Sequence, residues 1–315
     1  MVDPLSDVLR VVRLTGAFFY RVEASRPWSV EALPARKLAP LLLPGAQHVI
    51  SYHIITSGRG VGGLLGEPLV ELHPGDVIVF PHGDPHLMAS DHDFRLPDDR
   101  FGVSAARYPD TVRLGGGPGS DTTFVCGFLG CDRDPFNPLL ASLPRQVHAR
   151  GLREGRLATL ASQVIEESRG GQAGADGVLT RLAEVMFIEV LRHHARSLPP
   201  GQEGWIGGLG DPIVGGALAR LHAEPARAWT LEELAAEVAA SRSSLAERFT
   251  RVVGQPPMQY LAAWRMQVAA GLLTRGSAKV AAVAASVGYD SEAAFSRAFK
   301  KATGVTPGAW RERQP

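Results

Sequence analysis

The sequence predicts a multidomain protein of α and β structure, with a small β-barrel first, a pair of connecting helices second and an all-α domain last. Three patterns predict this order. Short apolar runs separated by Gly, Pro and Asp fill residues 26–128, helical periodicity begins near residue 150, and the last hundred residues contain an internal repeat. With 315 residues, the chain is long enough for about two hydrophobic cores.

The composition is typical of a globular protein. Hydrophobic residues make up 45% of the chain and charged residues 21%, which excludes disorder as the main state. No apolar run approaches the roughly 20 residues of a membrane-spanning helix, and the first residues lack the basic and apolar regions of a signal peptide. The expected location is therefore the cytoplasm. Two cysteines, Cys126 and Cys131, are too few for a disulfide framework.

Charge divides unevenly along the chain. Residues 212–315 contain 13 Lys and Arg against 8 Asp and Glu, an excess of +5, so the first 211 residues carry −4 of the net +1. A basic carboxyl third indicates contact with a polyanion.

Residues 1–150 are predicted to form the β domain. Apolar runs at 48–56, 69–72, 76–80 and 123–128 are the predicted strands, and breaks about every ten residues are typical of a small antiparallel sandwich or barrel. Residues 90–119, rich in Asp, Gly and Pro, are predicted to form a long mobile loop.

Residues 151–197 are predicted to form two connecting helices. Leu179, Leu182, Val185 and Met186 fall close to one helical face, and we expect such Leu-rich faces to pair two chains into a homodimer. The Gly- and Pro-rich residues 198–211 are the predicted linker to the last domain.

The all-α domain, residues 212–315, contains the repeat, with a shift of about 50 residues. Ser241 matches Ser291, Phe249 matches Phe299 and Gly254 matches Gly304. Each copy predicts a helix, a turn and a second helix, at about 231–250 and 280–301, with the serine as the helix cap. Between the copies, residues 257–274 predict one helix roughly 27 Å long, whereas successive major-groove faces of B-DNA lie about 34 Å apart.

The repeat resembles the DNA-binding region of the AraC/XylS transcription regulators. The second copy, from Val280 through Gly288-Tyr289-Asp290-Ser291 to Pro307, is similar to the family pattern over its full length. The resemblance implies promoter or operator DNA as a partner, and RNA polymerase as a second partner if the protein is an activator. It places base contacts on Ser243, Ala246, Glu247, Glu292, Ala293, Ser296 and Arg297. We expect Arg242, Arg251, Lys300 and Lys301 to contact phosphates.

A second resemblance lies in the β domain. Gly75, Pro81, Gly83 and His86 have the spacing of the second motif of cupin barrels, whose final His is commonly a metal ligand. In the first motif, Ser51 stands where the family has its first His. The resemblance implies a cupin-like sensor domain.

Three sensing chemistries remain open for this domain. His53, His82, His86 and Cys126 would make a three-His, one-Cys set for zinc or another divalent metal, although His82 and His86 would lie about 13 Å apart in a straight strand. A thiol switch would join Cys126 and Cys131 if glycines bend the strand between them. A pocket for a small organic effector would be lined by apolar residues such as Phe19, Trp28, Ile54, Val79 and Phe128.

The predicted function is a sequence-specific DNA-binding transcriptional regulator, not an enzyme, whose cupin-like domain senses a small molecule, a metal or an oxidant. The alternative is a metal-dependent cupin enzyme with an accessory helical domain. That alternative needs an open metal position beside an acid or base, and the first motif lacks its Glu and one His.

Overall fold

The computed structural model describes residues 3–12, 14–93, 111–117, 119–131, 135–150, 156–170, 172–199 and 201–312. The chain divides into two compact units. The β unit comprises residues 14–132 and 143–197, and the helical unit comprises residues 1–13, 133–142 and 198–315.

The β unit contains two sheets. The first has the strand order β10-β6-β3-β9-β1-β8 and the second the order β2-β7-β4-β5. The strands are β1 Leu14–Ala24, β2 Ser29–Ala32, β3 His48–Ser57, β4 Gly60–Leu64, β5 Val70–Leu72, β6 Val77–Phe80, β7 His86–Ala89, β8 Thr111–Leu114, β9 Thr122–Cys131 and β10 Val147–Ala149. All four predicted apolar runs form strands. Within the predicted loop 90–119, residues 111–114 form β8, which pairs with β1 in parallel, while residues 94–110 and 118 lie outside the described residues.

Alternation along the strands builds the core of the β unit. Trp28, Phe80 and Phe124 are fully buried, and the rings of Trp28 and Phe124 stack with centroids 5.4 Å apart. Helix α2 (Ala35–Leu42) packs Ala35 and Leu38 against this same cluster. Because successive side chains of a strand face opposite ways, the neighbours of these core residues lie on the outer faces of the sheets.

The two predicted connecting helices form α4 (Arg156–Gly170) and α5 (Ala175–Ser197), which pack on each other. Both belong to the β unit, where α5 contacts β1, β9 and β10. Leu179 and Met186 are buried, as the periodicity predicts. Val185, predicted on the same face, is instead 46% exposed.

The helical unit is assembled from three stretches of chain. Its helices are α1 Pro4–Val11, α3 Pro138–Ser142, α6 Trp205–Leu209, α7 Pro212–Ala223, α8 Leu231–Glu237, α9 Arg242–Val253, α10 Pro257–Arg275, α11 Val280–Ser286, α12 Glu292–Thr303 and α13 Pro307–Glu312. The residues predicted as a linker, 198–211, contain α6, which packs on α7 and α9. Asp211 caps α7 and accepts a 2.8 Å hydrogen bond from Arg248 Nε, so these residues are part of the packed unit.

The compact units differ from the predicted domain boundaries at two further places. Helices α1 and α3, both inside the predicted 1–150 domain, contact α10 and α6 respectively. Asp3 caps α1 and Pro4 occupies its first turn, a local signal that the strand-based prediction did not use. The division by packing is therefore discontinuous in sequence, whereas patterns read along the chain predict continuous segments.

Candidate nucleic-acid interface and sensor site

The first copy of the repeat is a helix–turn–helix built from α8 and α9. Thr230 and Glu233 form a capping box at the start of α8. The Ser241 hydroxyl accepts a 3.2 Å hydrogen bond from the Ser244 N–H and begins α9. Leu245 and Phe249, four residues apart, are fully buried and hold α9 on the unit.

The second copy, α11 and α12, repeats this geometry. Ser291 accepts a 3.2 Å hydrogen bond from the Ala294 N–H. Helix α9 ends at Gly254 and α12 at Gly304, with φ of 84° and 79° in the left-handed region. The predicted repeat and its serine caps are confirmed.

The turns of the two copies differ at one backbone position. Ala239 and Gly288 are equivalent by a shift of 49, and both are left-handed, with φ of 52° and 82°. This conformation strains an L side chain but not glycine. Added to Gly288, a Cβ atom would also lie 2.4 Å from the Ala226 carbonyl oxygen.

We expect Ala239→Gly to stabilise the helical unit by about 1 kcal/mol, because it relieves the left-handed strain of an exposed alanine. Gly288→Ala should destabilise it by about 3 kcal/mol, since strain and overpacking add. Urea unfolding followed by circular dichroism measures both changes. Equal changes of the same sign in the free energy of unfolding would contradict the left-handed conformation assigned to Ala239 and Gly288.

Helices α9 and α12 each present a polar face to solvent. Ala246 and Ser296 are half-buried. The exposed members of the predicted set are Arg242, Ser243, Glu247, Arg251, Glu292, Ala293, Arg297, Lys300 and Lys301. Two equivalent positions carry opposite charges in the two copies: Arg242 corresponds to Glu292, and Glu247 corresponds to Arg297.

Arg242, one of the residues predicted to contact phosphate, already forms an ion pair within the protein. Arg242 Nη1 forms an ion pair with Glu232 Oε1 of α8, and this hydrogen bond lowers the pKa of Glu232. Both side chains are more than half exposed, so water and salt screen the pair. A phosphate oxygen would have to compete with Glu232 for this guanidinium.

Inside the β unit, four side chains form a buried polar chain. In the strand register, Cys126 of β9 lies between Tyr20 of β1 and His53 of β3. Cys126 Sγ is 2.9 Å from His53 Nδ1, and His53 Nε2 is 2.7 Å from His86 Nε2. His86 Nδ1 is 2.9 Å from the Asp84 carbonyl oxygen. We call Tyr20, Cys126, His53 and His86 the polar chain.

The positions of the protons in the polar chain can be deduced by starting at the Asp84 carbonyl, where it ends. A carbonyl only accepts, so His86 Nδ1 carries a proton and, in neutral His86, Nε2 accepts from the His53 Nε2–H. Neutral His53 then accepts at Nδ1 from the Cys126 S–H. Cys126 in turn accepts from the Tyr20 hydroxyl. Every polar atom along this line has a partner.

Burial keeps the polar chain neutral. It lowers the pKa of His86 to about 4 and, with His86 beside it, holds the pKa of His53 well below its usual value. Burial also raises the pKa of the Cys126 thiol, against the smaller effect of the Tyr20 hydrogen bond. The thiolate, which is the reactive form, is therefore suppressed.

Acid should unfold the protein partly through these two histidines. Their folded pKa values are depressed, so between about pH 6.5 and 4 the unfolded chain binds more protons and stability falls as pH falls. We expect His86, whose folded pKa is about 4, to contribute up to about 1.4 kcal/mol per pH unit in that range, and His53 to add a loss of the same sign. Urea unfolding at pH 7.5 and 5 measures the loss, which His53→Gln/His86→Gln should reduce. An unchanged pH dependence in that variant would contradict the neutral assignment.

The structure does not bring the four predicted metal ligands together. His82 is exposed, and its Nε2 donates to the Leu143 carbonyl oxygen 2.9 Å away. Cys126 and His86 lie at opposite nitrogens of the His53 ring, so they cannot converge with His53 on one ion. Among the described residues, no group of three His, Cys, Asp or Glu side chains is arranged to hold a metal. The donor set does not fit a zinc ion.

The thiol switch between Cys126 and Cys131, one of the three sensing chemistries left open by the sequence, does not fit the structure. Both are buried thiols on β9, which pairs in continuous register with β3 across this stretch. Five residues of strand separate their Cα atoms by about 17 Å and turn the side chains to opposite faces, whereas a disulfide needs less than about 7 Å. The bend at Gly127 and Gly130 that a disulfide would need is absent from this stretch of β9.

A small cavity borders the polar chain. Its volume is about 20 Å³, room for about one water molecule, and Tyr20, His53 and Cys126 supply its polar wall. The apolar wall consists of Val22, Val30, Ala32, Leu33, Leu38, Met88 and Phe128. Of the predicted lining residues, Phe128 borders the cavity. Ile54 and Val79 lie outside the core cluster, because they alternate with residues that face inward.

Sequence patterns missed two members of this site. Asp84 lies inside the cupin-like motif, two residues before His86, where a carbonyl acceptor for the ring is a local possibility. Tyr20 has no local signal, because its place beside Cys126 is set by the register between β1 and β9, strands separated by about a hundred residues.

A two-sheet β domain followed in sequence by two matched helix–turn–helix units is the architecture of a DNA-binding transcription regulator. Comparisons agree with this class. A cupin family model matches residues 3–196 and a helix-turn-helix domain model matches residues 234–313. An AraC-like transcription regulator of Streptomyces antibioticus is 34% identical over 98% of each chain. The transcriptional regulator AlkR of Acinetobacter baylyi is 27% identical over 99% of each chain.

Among solved structures, the DNA-binding domain of the global transcriptional factor AdpA in complex with a target DNA is 29% identical. The match covers 33% of this chain and 94% of that chain, with a TM-score of 0.31. The chain belongs to the AraC-like transcription regulators, with a cupin domain in its amino-terminal part. Its relatives are named as regulators, which favours this function over the metal-dependent enzyme. No described helix is long and apolar enough to cross a membrane.

Proposed function

We propose that the protein binds operator DNA in the cytoplasm by placing α9 and α12 in successive major grooves. The observation that carries this is the mounting of two matched, solvent-facing helices at the two ends of α10. Its 19 residues give α10 a length of about 28 Å, close to one turn of B-DNA. Exposed cations at Arg251, Lys300 and Lys301 supply phosphate contacts.

The opposite charges at equivalent positions give the two copies different base preferences. Glu247 of α9 accepts hydrogen bonds and suits cytosine N4, whereas Arg297 of α12 donates two and suits guanine O6 and N7. The operator would then be asymmetric, with these two bases about one helical turn apart.

Selection of binding sites from random duplex DNA tests the proposal with the full-length protein. We expect an enriched site whose affinity, measured by fluorescence anisotropy, falls steeply with salt and exceeds that of scrambled DNA at least about a thousandfold. If no sequence is enriched and affinity for all duplexes is equal, operator binding is refuted.

The protein is also proposed to act as a homodimer through α5. Val178 and Val185 are 44% and 46% exposed, and half-buried Leu182 completes a stripe at helical spacing. Arg181 and Glu184 flank this stripe, so two antiparallel copies of α5 would pair opposite charges around an apolar seam. A second copy of the chain is the occupant this charge pattern fits.

Size-exclusion chromatography with light scattering tests the dimer. Val178→Glu/Val185→Glu should convert it to monomer, because each glutamate would be buried without a partner. Leu41→Glu, a change at a 42% exposed leucine on α2, is the matched control and should leave the dimer intact. A monomeric wild type, or a dimeric double variant, would refute the α5 interface.

The signal is proposed to be a small, largely apolar effector that widens the cavity beside the polar chain. The apolar wall matches such a molecule, and the Tyr20 hydroxyl and Cys126 thiol offer it a hydrogen-bonding edge. Native mass spectrometry of the purified protein, with metal analysis in parallel, should find a bound organic molecule. A stoichiometric metal ion without an organic molecule would refute this chemistry.

A further inference from the structure

A short segment from within the cupin-matched residues packs into the helical unit. The Phe136 N–H donates a 2.9 Å hydrogen bond to Gln267 Oε1 of α10, and Gln267 is only 2% exposed. The Phe136 ring meets Tyr260 of α10 edge-on, with centroids 5.5 Å apart. A buried amide that gains its partner from a distant segment is costly to leave unpaired, so this junction is a specific one.

The segment is also ordered in itself. Asn137 Oδ1 accepts a 3.0 Å hydrogen bond from the Leu140 N–H at the start of α3, and Leu139 and Leu140 are buried. Helix α3 contacts α6. Residues 135–142, which we call the inserted segment, therefore belong to the core of the helical unit.

From this junction, direct contacts lead to the first recognition helix. The Tyr260 ring packs edge-on against Phe249 of α9, with centroids 5.7 Å apart. The Tyr260 hydroxyl accepts from Trp205 Nε1–H of α6, and the Gly204 N–H just before α6 donates to the Val252 carbonyl of α9. Helix α9 thus rests on groups that the inserted segment touches.

Both flanks of the inserted segment return to the polar chain. Before it, the chain leaves β9, the strand that carries Cys126. After it, Arg145 pairs with Asp84 at 2.9 Å and with Glu67 at 2.6 Å, and the Asp84 carbonyl is the acceptor for His86. Cys126 of the polar chain therefore lies on the strand that precedes this segment, and the Asp84 carbonyl at its His86 end belongs to a residue paired with Arg145, which follows the segment.

The second recognition helix, α12, has no neighbour in the described structure that corresponds to the inserted segment. The buried cluster beneath α12 is formed by residues between Met266 and Trp310, with Phe295 and Phe299 at its centre. The first and second copies are matched in fold but differ in what supports them.

We propose that the inserted segment positions α9, with Phe136 of the segment and its partner Gln267 of α10 as the positioning residues. The polar chain determines the position of the inserted segment. The first helix–turn–helix is then the adjustable half of the DNA-binding domain and the second is the fixed half. This inference rests on the proposed operator binding.

A pair of double-mutant cycles on the full-length protein tests it, with DNA selected by the wild type as the probe. Gln267→Met, which keeps the side-chain length but removes the acceptor, is combined with Arg251→Ala in the first copy or with Lys301→Ala, its equivalent in the second copy. We expect Gln267→Met to weaken binding about threefold or more. It should abolish most of the effect of Arg251→Ala and leave the effect of Lys301→Ala unchanged.

Multiplicative effects in both cycles, or unchanged affinity in Gln267→Met, would overturn the proposal, because a purely structural role affects both copies alike. Phe136→Leu, which trims only the ring contact with Tyr260, repeats the test if Gln267→Met fails to fold by circular dichroism. His53→Leu should change affinity in the wild-type background and not in Gln267→Met, and any other result refutes the link to the polar chain. Failure of operator binding itself is recognised earlier, as a wild type that selects no sequence.

Discussion

Arg297→Ala is expected to lower affinity for the selected operator about 10-fold to 100-fold, with little change in affinity for unrelated DNA. The side chain is exposed halfway along α12, where its guanidinium can donate two hydrogen bonds to one guanine. Removing it takes away a base contact worth about 1–3 kcal/mol and relaxes the preference at that base pair alone. Fluorescence anisotropy with all four base pairs at that position measures both effects.

Lys300→Ala/Lys301→Ala provides the contrasting case on the same helix. Phosphate contacts are blind to sequence, so we expect weaker binding to every duplex and a salt dependence shallower by about two units of log–log slope. Arg36→Ala/Lys37→Ala removes two exposed cations from α2 and should change neither. If Arg297→Ala weakens all sequences equally, Arg297 contacts phosphate and the proposed guanine contact is wrong.

His53→Leu should destabilise the protein by about 3 kcal/mol, although leucine and histidine are similar in volume. The change leaves the His86 Nε2 acceptor and the Cys126 S–H donor buried without partners, and an orphaned buried polar group loses its full hydration. Replacing the middle of the polar chain by apolar groups, in His53→Leu/His86→Leu/Cys126→Val, removes the orphans together. We expect this triple variant to be more stable than His53→Leu.

Urea unfolding at pH 7.5 measures both variants, a pH at which both histidines are neutral in the folded and the unfolded chain. Thr56→Val, at a half-buried hydroxyl outside the polar chain, is the control for removing a hydroxyl whose hydrogen bonds go to one residue, Thr123. A triple variant whose loss equals the sum of three single losses would show that the polar chain is not one connected network.

Local spacing predicted the carboxyl-terminal repeat well. A serine cap, two buried residues four apart and a terminal glycine act within one helix, so Ser241, Phe249 and Gly254 could be placed without knowledge of the rest of the fold. The same reasoning predicted α10 from residue 257 to within one residue of its end at Arg275.

The candidate site in the β unit was only partly predictable. His53, His86 and Cys126 do lie together, but the direction of His82 depends on the turn at Gly83, where φ is 65°, and no spacing rule supplies that direction. Tyr20 depended on the pairing of β1 with β9, and the placement of α1 and α3 depended on packing between stretches far apart in sequence. The failure at His82 is one of local backbone direction, whereas those at Tyr20, α1 and α3 concern contacts whose partners lie far apart along the chain.

The discontinuous make-up of the helical unit has a consequence for treating this protein as two exchangeable modules. A fragment beginning at residue 198 would contain both helix–turn–helix units, yet would lack α1 and α3. In this fragment the buried amide of Gln267 would lose the hydrogen bond from the Phe136 N–H. The face of Tyr260 that Phe136 covers would be exposed to water. A chimeric regulator that joined this fragment to an unrelated sensor domain would contain both helix–turn–helix units. It would lack part of the surface against which the first of them packs.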